Sequence, residues 1–422
     1  MNPSATHRAI HAVWRIESPR LIAGLVRMVR DIGIAEELAQ DALVTALERW
    51  PESGVPDNPG AWLMATAKRR AIDELRRRKR VERKHEEIGV ELTAKEGTTP
   101  DLEAAIDDDV GDDLLRLVFT SCHPLLSTEA RVALTLRLLG GLTTDEIARA
   151  FLVPEPTVAQ RIVRAKRTLA EAQVPFEVPR GPELVARLGS VLEVVYLIFN
   201  EGYSATSGSD WMRPALCEEA LRLGRILAGL APNEAEVHGL VALMEIQASR
   251  AAARTGPTGE PILLLDQNRA RWDQLLIRRG LNALVRVQAL GGAGGSYALQ
   301  AAIAACHARA RTPEETDWQR IAALYEALAE REPSPVVELN RAVAVSMAYG
   351  PAAGLAIVDD LVGEPLLASY HLLPSVRGDF LMKLGRLEEA RVEFERAAAL
   401  TRNERERQLL GARAAACQRQ GV

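Results

Sequence analysis

Apolar residues recur at helical spacing along almost the whole chain. Over residues 8–50, Leu21, Leu25 and Met28, then Leu38, Ala42 and Leu43, then Ala46 and Leu47 fall on single faces and predict two or three helices. "PESGVPDNPG", residues 51–60, interrupts the period with three prolines and two glycines and predicts a loop. Asp57 or Asn58 is placed to cap the following segment, and Pro59 suits its first turn, so "AWLMATAKRRAIDELRRRKR" predicts one long helix. The period resumes at Leu114, runs to about Ala172 and stops at "VPFEVPRGP". From Glu183 onward it returns, with Leu184, Leu188, Val191, Leu192 and Val195 on one face. Near the end, Gly378, Gly385, Ala390, Phe394 and Ala397 occupy the small and large positions of a tetratricopeptide helix pair, and Gly350 precedes Gly385 by 35 residues. An arbitrary helical hairpin would show the same residues. The fold class expected is all-α.

Length and composition narrow the class further. A chain of 422 residues predicts two to four domains. Aromatic residues make up only 4%, and Ala, Leu and Arg dominate, which favours helix over strand. No apolar run reaches the roughly 18–20 residues that cross a bilayer, and the start, MNPSATHRAI, lacks the order of a signal peptide, so a cytoplasmic location with no membrane partner is expected. Cys122, Cys217, Cys306 and Cys417 are widely spaced, which fits a reducing compartment. Cys122-His123 and Cys306-His307 are adjacent pairs, a poor spacing for chelation from one helix face, so no metal and no cofactor is expected.

Charge changes the picture more than composition does. The net charge of −5 conceals an ordered alternation: residues 1–84 hold 16 Lys/Arg against 11 Asp/Glu, residues 85–113 hold 1 against 11, and residues 114–180 hold 9 against 6. Two cationic modules joined by an anionic strap point to a polyanionic partner, because binding follows the local field. The strap has few large apolar groups and reads as a flexible tether.

Chemistry concentrates in two helices. In "LTTDEIARAFLVPEPTVAQRIVRAKRTL", residues 142–169, Thr144 is expected to cap a helix through Ala150, "LVPEP" to turn a corner, and a second helix to start near Pro156. Thr157, Gln160, Arg161, Arg164, Lys166 and Arg167 would be offered to DNA, while Val158, Ile162, Val163 and Leu169 face inward. Such a helix fits a major groove, where Gln and Arg reach base edges and further cations hold phosphates. The helix at 61–80 carries Lys68, Arg69, Arg70, Arg76, Arg77, Arg78, Lys79 and Arg80 against Asp73 and Glu74, and suits phosphate neutralisation. In the C-terminal part, "FNEGYSATSGSDWMRP" sets Glu201, Tyr203, Asp210, Trp211 and Arg213 in and beside a Ser/Gly-rich loop, a candidate regulatory or docking site. "LLLDQNRARWDQ" reads as an internal polar network involving Asp266, Gln267, Arg269, Arg271, Trp272 and Asp273. No nucleophile-and-base pair, phosphate loop or metal spacing supports an enzyme.

With these residues in view the chain resembles bacterial extracytoplasmic-function sigma factors. "GIAEELAQDALVTALERW" is similar to their polymerase-docking helix, "NPGAWLMATAKRRAIDELRRR" to their −10-recognising segment, and the stretch at 142–169 to their −35-reading helix-turn-helix. The resemblance covers about residues 8–172. It implies region 2 at 1–84, an acidic linker at 85–113, region 4 at 114–175, and at 181–422 the tetratricopeptide-like extension of one subgroup. It further implies that Glu37, Gln40 and Asp41 face the clamp helices of core RNA polymerase, and that Asn58, Trp62, Lys68, Arg69, Arg70, Arg76 and Arg77 serve the single-stranded −10 element. Trp62 would also help build the core beneath that helix, and the loop at 51–59 would capture an extruded base. The linker would thread through a cationic channel of the polymerase, and duplex −35 DNA would meet the second module. A regulatory protein or ligand would act on the extension. Arg69 stands where many members have Asn, and Pro156 where they often have Gly. The competing class is a stand-alone helix-turn-helix repressor or activator with a tetratricopeptide sensor, which would have no use for segments 36–41 and 61–80.

Overall fold

The computed structural model describes residues 3–86, 110–151, 153–205, 211–257 and 259–420, so most of the anionic strap, and Asp210, lie outside the described residues. Among those described, helices and short 3-10 turns make up the regular structure, with one isolated bridge between Thr255 and Pro261. The chain divides into two compact units, Met1–Val194 and Val195–Val422, the division falling within a helix at Pro182–Tyr203.

The first unit contains α1 (Pro3–Val29), α2 (Ile32–Ser53), α3 (Pro59–Glu86), α4 (Val110–Ser121), α5 (Thr128–Leu138), α6 (Thr144–Phe151), α7 (Glu155–Glu171) and the start of α8 (Pro182–Tyr203). Two helices, not three, fill the N-terminal stretch. α1 packs on α2 and α3 and buries Leu21, Ile22, Leu25 and Val26. α2 begins at Asp31, whose carboxylate accepts from the Ile34 amide at 2.9 Å, and runs on through Pro51 to Ser53. The predicted loop is therefore shorter than its composition suggests. Pro51 is tolerated because it lies in the last turn, where few further hydrogen bonds are lost. Gly54 ends the helix at φ 84°, a conformation that costs glycine little, and its amide donates to the Trp50 carbonyl at 3.0 Å. Asn58 Oδ1 then accepts from the Ala61 amide at 3.0 Å and starts α3.

Both ends of the predicted tether are helical, α3 reaching Glu86 and α4 starting at Val110. Asp113 is buried rather than solvated, because it pairs with Arg27 at 3.4 Å and Arg116 at 2.6 Å at the start of an apolar face carrying Leu114 and Leu117. The unit also extends beyond the proline-rich break at 174–182. The Arg187 guanidinium donates to the Phe119 carbonyl at 2.9 Å and Ser190 to the Cys122 carbonyl at 2.7 Å.

The second unit continues from α8 through α9 (Pro214–Leu230), α10 (Ala235–Ala248), α11 (Gln274–Ala289), α12 (Ser296–Arg309), α13 (Trp318–Arg331), α14 (Pro335–Tyr349), α15 (Pro351–Leu361), α16 (Leu372–Lys383), α17 (Leu387–Leu400) and α18 (Glu404–Gln420). From α12 on, each helix packs against the next. The α16–α17 pair has the small-against-large contact its residues predict: a Cβ on Gly378 would lie 2.9 Å from Phe394 Cε1, and Ala390, Phe394 and Ala397 are fully buried. The closeness of these two helices thus depends on hydrogen at position 378. All four cysteines are buried and free.

Candidate nucleic-acid and polymerase interface

The helix-turn-helix is built from local signals. Thr143, one residue earlier than expected, closes a reciprocal capping box with Glu146: its Oγ1 accepts from the Glu146 amide at 3.1 Å, and Glu146 Oε2 accepts from its amide at 2.7 Å. The corner is tight, the Val153 amide reaching the Ala148 carbonyl at 3.1 Å. On α7, Val158, Ile162, Ala165 and Leu169 are buried. Val163, expected inside, is 62% exposed, because the helix keeps the 158–162–165–169 stripe and turns position 163 outward. The face turned to solvent carries Gln160, Arg164 and Arg167, with Thr157 and Arg161 half-buried at its edge. Arg167 pairs with Glu171 at 2.6 Å along the helix, an exposed contact worth little against a phosphate.

Lys166 points elsewhere. Its ammonium pairs with Glu36 on α2, and Arg137 Nε on α5 reaches the other Glu36 oxygen at 2.6 Å. The Glu36 side chain is only 4% exposed. Burial alone would push its pKa up, but the Lys166 and Arg137 cations beside it outweigh that and hold the carboxyl below the usual carboxylate range. Gln40 donates to Glu36 Oε1 at 2.6 Å, so one residue of the expected polymerase-docking set is drawn into this cluster. Glu37 and Asp41 stay exposed on the same helix. Beside the cluster, a cavity of about 660 Å³ opens between α1 and α7, lined by Arg27, Arg30, Leu169, Gln173 and Phe176 among others. The junction of the two cationic modules therefore holds a buried ionic cluster beside a cavity of mixed polar and apolar lining. Sequence reading missed Glu36 and Arg137, although a carboxylate within the stripe Ile32, Ala35, Ala39 and Ala42 is a signal that a partner must exist.

On α3, Leu63, Ala67 and Ala71 are buried, and Arg69, Arg76 and Arg77 are exposed. Lys68 is half-buried beside them. Arg70 is held by α2: it pairs with Asp41 at 2.8 Å and donates to Thr45 Oγ1 at 2.9 Å, which joins one residue expected at −10 DNA to one expected at polymerase. Trp62 lies edge-on to the buried Trp50 at 5.2 Å, and Asn58 serves as the cap of α3.

In the extension, the loop expected between Glu201 and Arg213 has a closed stem. Glu201 and Arg213 form an ion pair, the Arg213 amide donates to the Gly202 carbonyl at 2.7 Å, and the Ala205 amide donates to the Trp211 carbonyl at 3.1 Å. Asn403 Nδ2 adds a bond to the Ala205 carbonyl at 3.1 Å, and Tyr203 stacks on Phe199. The segment around Arg269 forms a network: Asp273 caps α11, and Arg269 donates to the His307 and Ala310 carbonyls, both at 2.7 Å. Among the described residues no group of His, Cys, Asp and Glu could hold a metal ion, and no helix is long and apolar enough to cross a membrane.

Comparison with known proteins places these features. Residues 14–81 match the family Sigma-70 region 2 and residues 116–169 the family Sigma-70, region 4. Residues 187–288 match a family of unknown function (DUF6596). The chain is 44% identical to the uncharacterized protein R00370 of Rhizobium meliloti (strain 1021) over 91% of this chain and 90% of that protein. It is 30% identical to the ECF RNA polymerase sigma factor SigK of Mycobacterium bovis (strain BCG / Pasteur 1173P2) over 35% of this chain and 77% of that protein. It is also 27% identical to the probable ECF RNA polymerase sigma factor SigI of Mycobacterium tuberculosis (strain ATCC 25618 / H37Rv) over 43% of this chain, spanning 61% of that relative. The two basic helices fall one in each sigma-70 match, and the chain therefore belongs to the extracytoplasmic-function sigma-70 family, non-enzymatic transcription initiation factors, with a helical C-terminal extension beyond region 4.

Proposed function

We propose that the chain docks on core RNA polymerase in the cytoplasm and directs initiation at promoters with defined −10 and −35 elements. Glu37, Gln40 and Asp41 are the docking residues in this reading. Asn58, Trp62, Lys68, Arg69, Arg70, Arg76 and Arg77 serve the unpaired −10 strand, and Thr157, Gln160, Arg161, Arg164 and Arg167 the −35 duplex. The supporting observation is the pairing of two exposed arginine rows, Arg69/Arg76/Arg77 and Arg164/Arg167, with helices whose opposite faces are buried, each inside a sigma-70 match. Arginine in a groove reads base edges, and in a row it releases counterions from phosphates. The domain division at 1–84, 114–175 and 181–422, and the tetratricopeptide character of the extension, belong to the same proposal. In vitro transcription with core polymerase and a promoter library tests it. Promoter-specific initiation is expected, and none, with core active on a control factor, rejects it.

A second reading concerns regulation and rests on Glu36. Its contacts with Arg137 and Lys166 tie α2 to α5 and α7. Lys166 engaged in this way is withdrawn from DNA, so the arrangement suits a resting state that opens on polymerase. The extension would bias that opening. Removing residues 195–422 and measuring transcription tests its part, and an unchanged output rejects a regulatory role.

A further inference from the structure

Among the described residues, the second unit holds a concentration of positive charge with no carboxylate at ion-pair distance. Other arginines there find acids: Arg213 meets Glu201, Arg222 meets Glu219, Arg225 meets Glu245, and Arg377 meets both Asp359 and Glu393. Arg250, Arg254 and Arg269 form no ion pair among the described residues, and they lie against one set of aromatic rings. The Tyr203 ring has the Arg254 guanidinium at 3.6 Å and that of Arg250 at 5.7 Å. The Trp272 ring has Arg269 at 4.9 Å and the same Arg250 at 5.9 Å. Trp211 lies 5.6 Å from Arg254. Arg250 thus joins two aromatic–cation groups into one cluster.

Rings stabilise such cations by about 0.5–2 kcal/mol each but do not neutralise them. The local field shows the deficit. Burial, and Arg250 among the neighbouring cations, hold Arg254 and Arg269 below the usual arginine range, although Tyr203 acts against the shift at Arg254 and Glu314 and Glu315, beyond ion-pair distance, act against it at Arg269. Burial, then Arg250 and Arg269, push the His307 ring down to about 3, so it stays neutral. The hydrogen-bond inventory points the same way. The Nε atoms of Arg250, Arg254 and Arg269, the indole nitrogens of Trp211 and Trp272, and the Tyr203 hydroxyl are all buried without a partner, and Trp272 is only 4% exposed. The arginine and tryptophan nitrogens among these donate and cannot accept. Leaving one buried donor unmatched costs about 1–3 kcal/mol, so six gathered in one cluster favour an acceptor beyond those the described chain supplies. Water would satisfy donors but not the charge.

We propose that Arg250, Arg254 and Arg269, with Tyr203, Trp211 and Trp272, form a binding site for a small oxyanion, the phosphate or carboxylate group of a ligand that acts on the extension. The site recognises the group by fixed N–H donors and three cations, a charge-assisted arrangement. It stands independently of promoter recognition.

Titration of the full chain with inorganic phosphate or with citrate, at ionic strength held constant with chloride, tests it through tryptophan fluorescence and the thermal unfolding midpoint. A saturable change in both signals is expected with at least one of the two anions, and which one distinguishes phosphate from carboxylate as the source. The Arg250 side chain makes no hydrogen bond among the described residues, and the loss of its two ring contacts is offset by relief of like-charge repulsion, so R250A should stay folded with an anion-free midpoint close to that of the wild type. Its apparent affinity should fall by about tenfold or more, the worth of one charge-assisted contact. R250K, which keeps the charge, should lose less. Phosphate and citrate responses no larger than that of chloride would overturn the proposal. So would an R250A chain that titrates like the wild type, or one that unfolds without anion, since the cluster would then be structural only.

Discussion

Replacing Glu36 by Gln removes one charge and little volume from the junction of α2, α5 and α7. The carboxylate is 4% exposed and answers two cations whose side chains are 22% and 21% exposed, Arg137 and Lys166. Removing one member of a buried ion pair costs about 3–5 kcal/mol. Here the cations keep a path to solvent, so the low end applies, about 3 kcal/mol, or roughly a hundredfold in the equilibrium between joined and separated modules. The adjoining cavity of about 660 Å³ leaves the junction incompletely packed on that side. Hydrogen exchange of the full chain at neutral pH measures it: amides of α7 and of the facing turn of α2 should lose protection in E36Q, while the α16–α17 pair should not. The pH dependence has a fixed sign. Because the folded carboxyl titrates below its ordinary value near 4.5, its stabilisation is present above that pH and is lost as pH falls through the folded pKa. Wild type should therefore approach E36Q on acidification. Equal protection of α7 in the two proteins at neutral pH would refute the latch.

Other expectations are as specific. R164A should weaken −35 recognition by about 1–3 kcal/mol while leaving binding to core polymerase intact, measured by duplex titration and by co-purification. R167A should reduce the slope of log affinity against log salt for −35 duplex by about one phosphate contact. T143A, which removes the hydroxyl half of the capping box, should lower thermal stability of the first unit by about 1 kcal/mol. In the second unit G378A should destabilise by about 1–3 kcal/mol in denaturant, since the new Cβ meets Phe394 at 2.9 Å and the Ala390 carbonyl oxygen at 3.2 Å.

Much of the fold was legible because helical order is local. The stripe Val158, Ile162, Leu169, the cap at Asn58, the breaker at Gly54 and the small residue at 378 each act within a turn or across one hairpin, and each stands in the structure where its chemistry requires. Two of the misplacements were also local: Thr143 rather than Thr144, and Val163 outward, are small shifts on helices whose period was otherwise clear. The two basic helices and the acidic strap needed only counting along the chain.

What tertiary structure alone decided is the partner of each charge. Nothing near Glu36 in sequence announces Arg137, which lies 101 positions away, nor Lys166 beyond it. Arg70 looked like one more cation in a row until α2 brought Asp41 and Thr45 against it. Asp113 looked like part of a solvated strap until Arg27 and Arg116 closed on it. Arg250 and Arg254 carried no signal at all, since an unanswered guanidinium is defined by the acids that packing fails to bring near it. Periodicity assigns faces because side-chain direction follows the backbone, whereas ion pairing depends on which distant helices those faces meet.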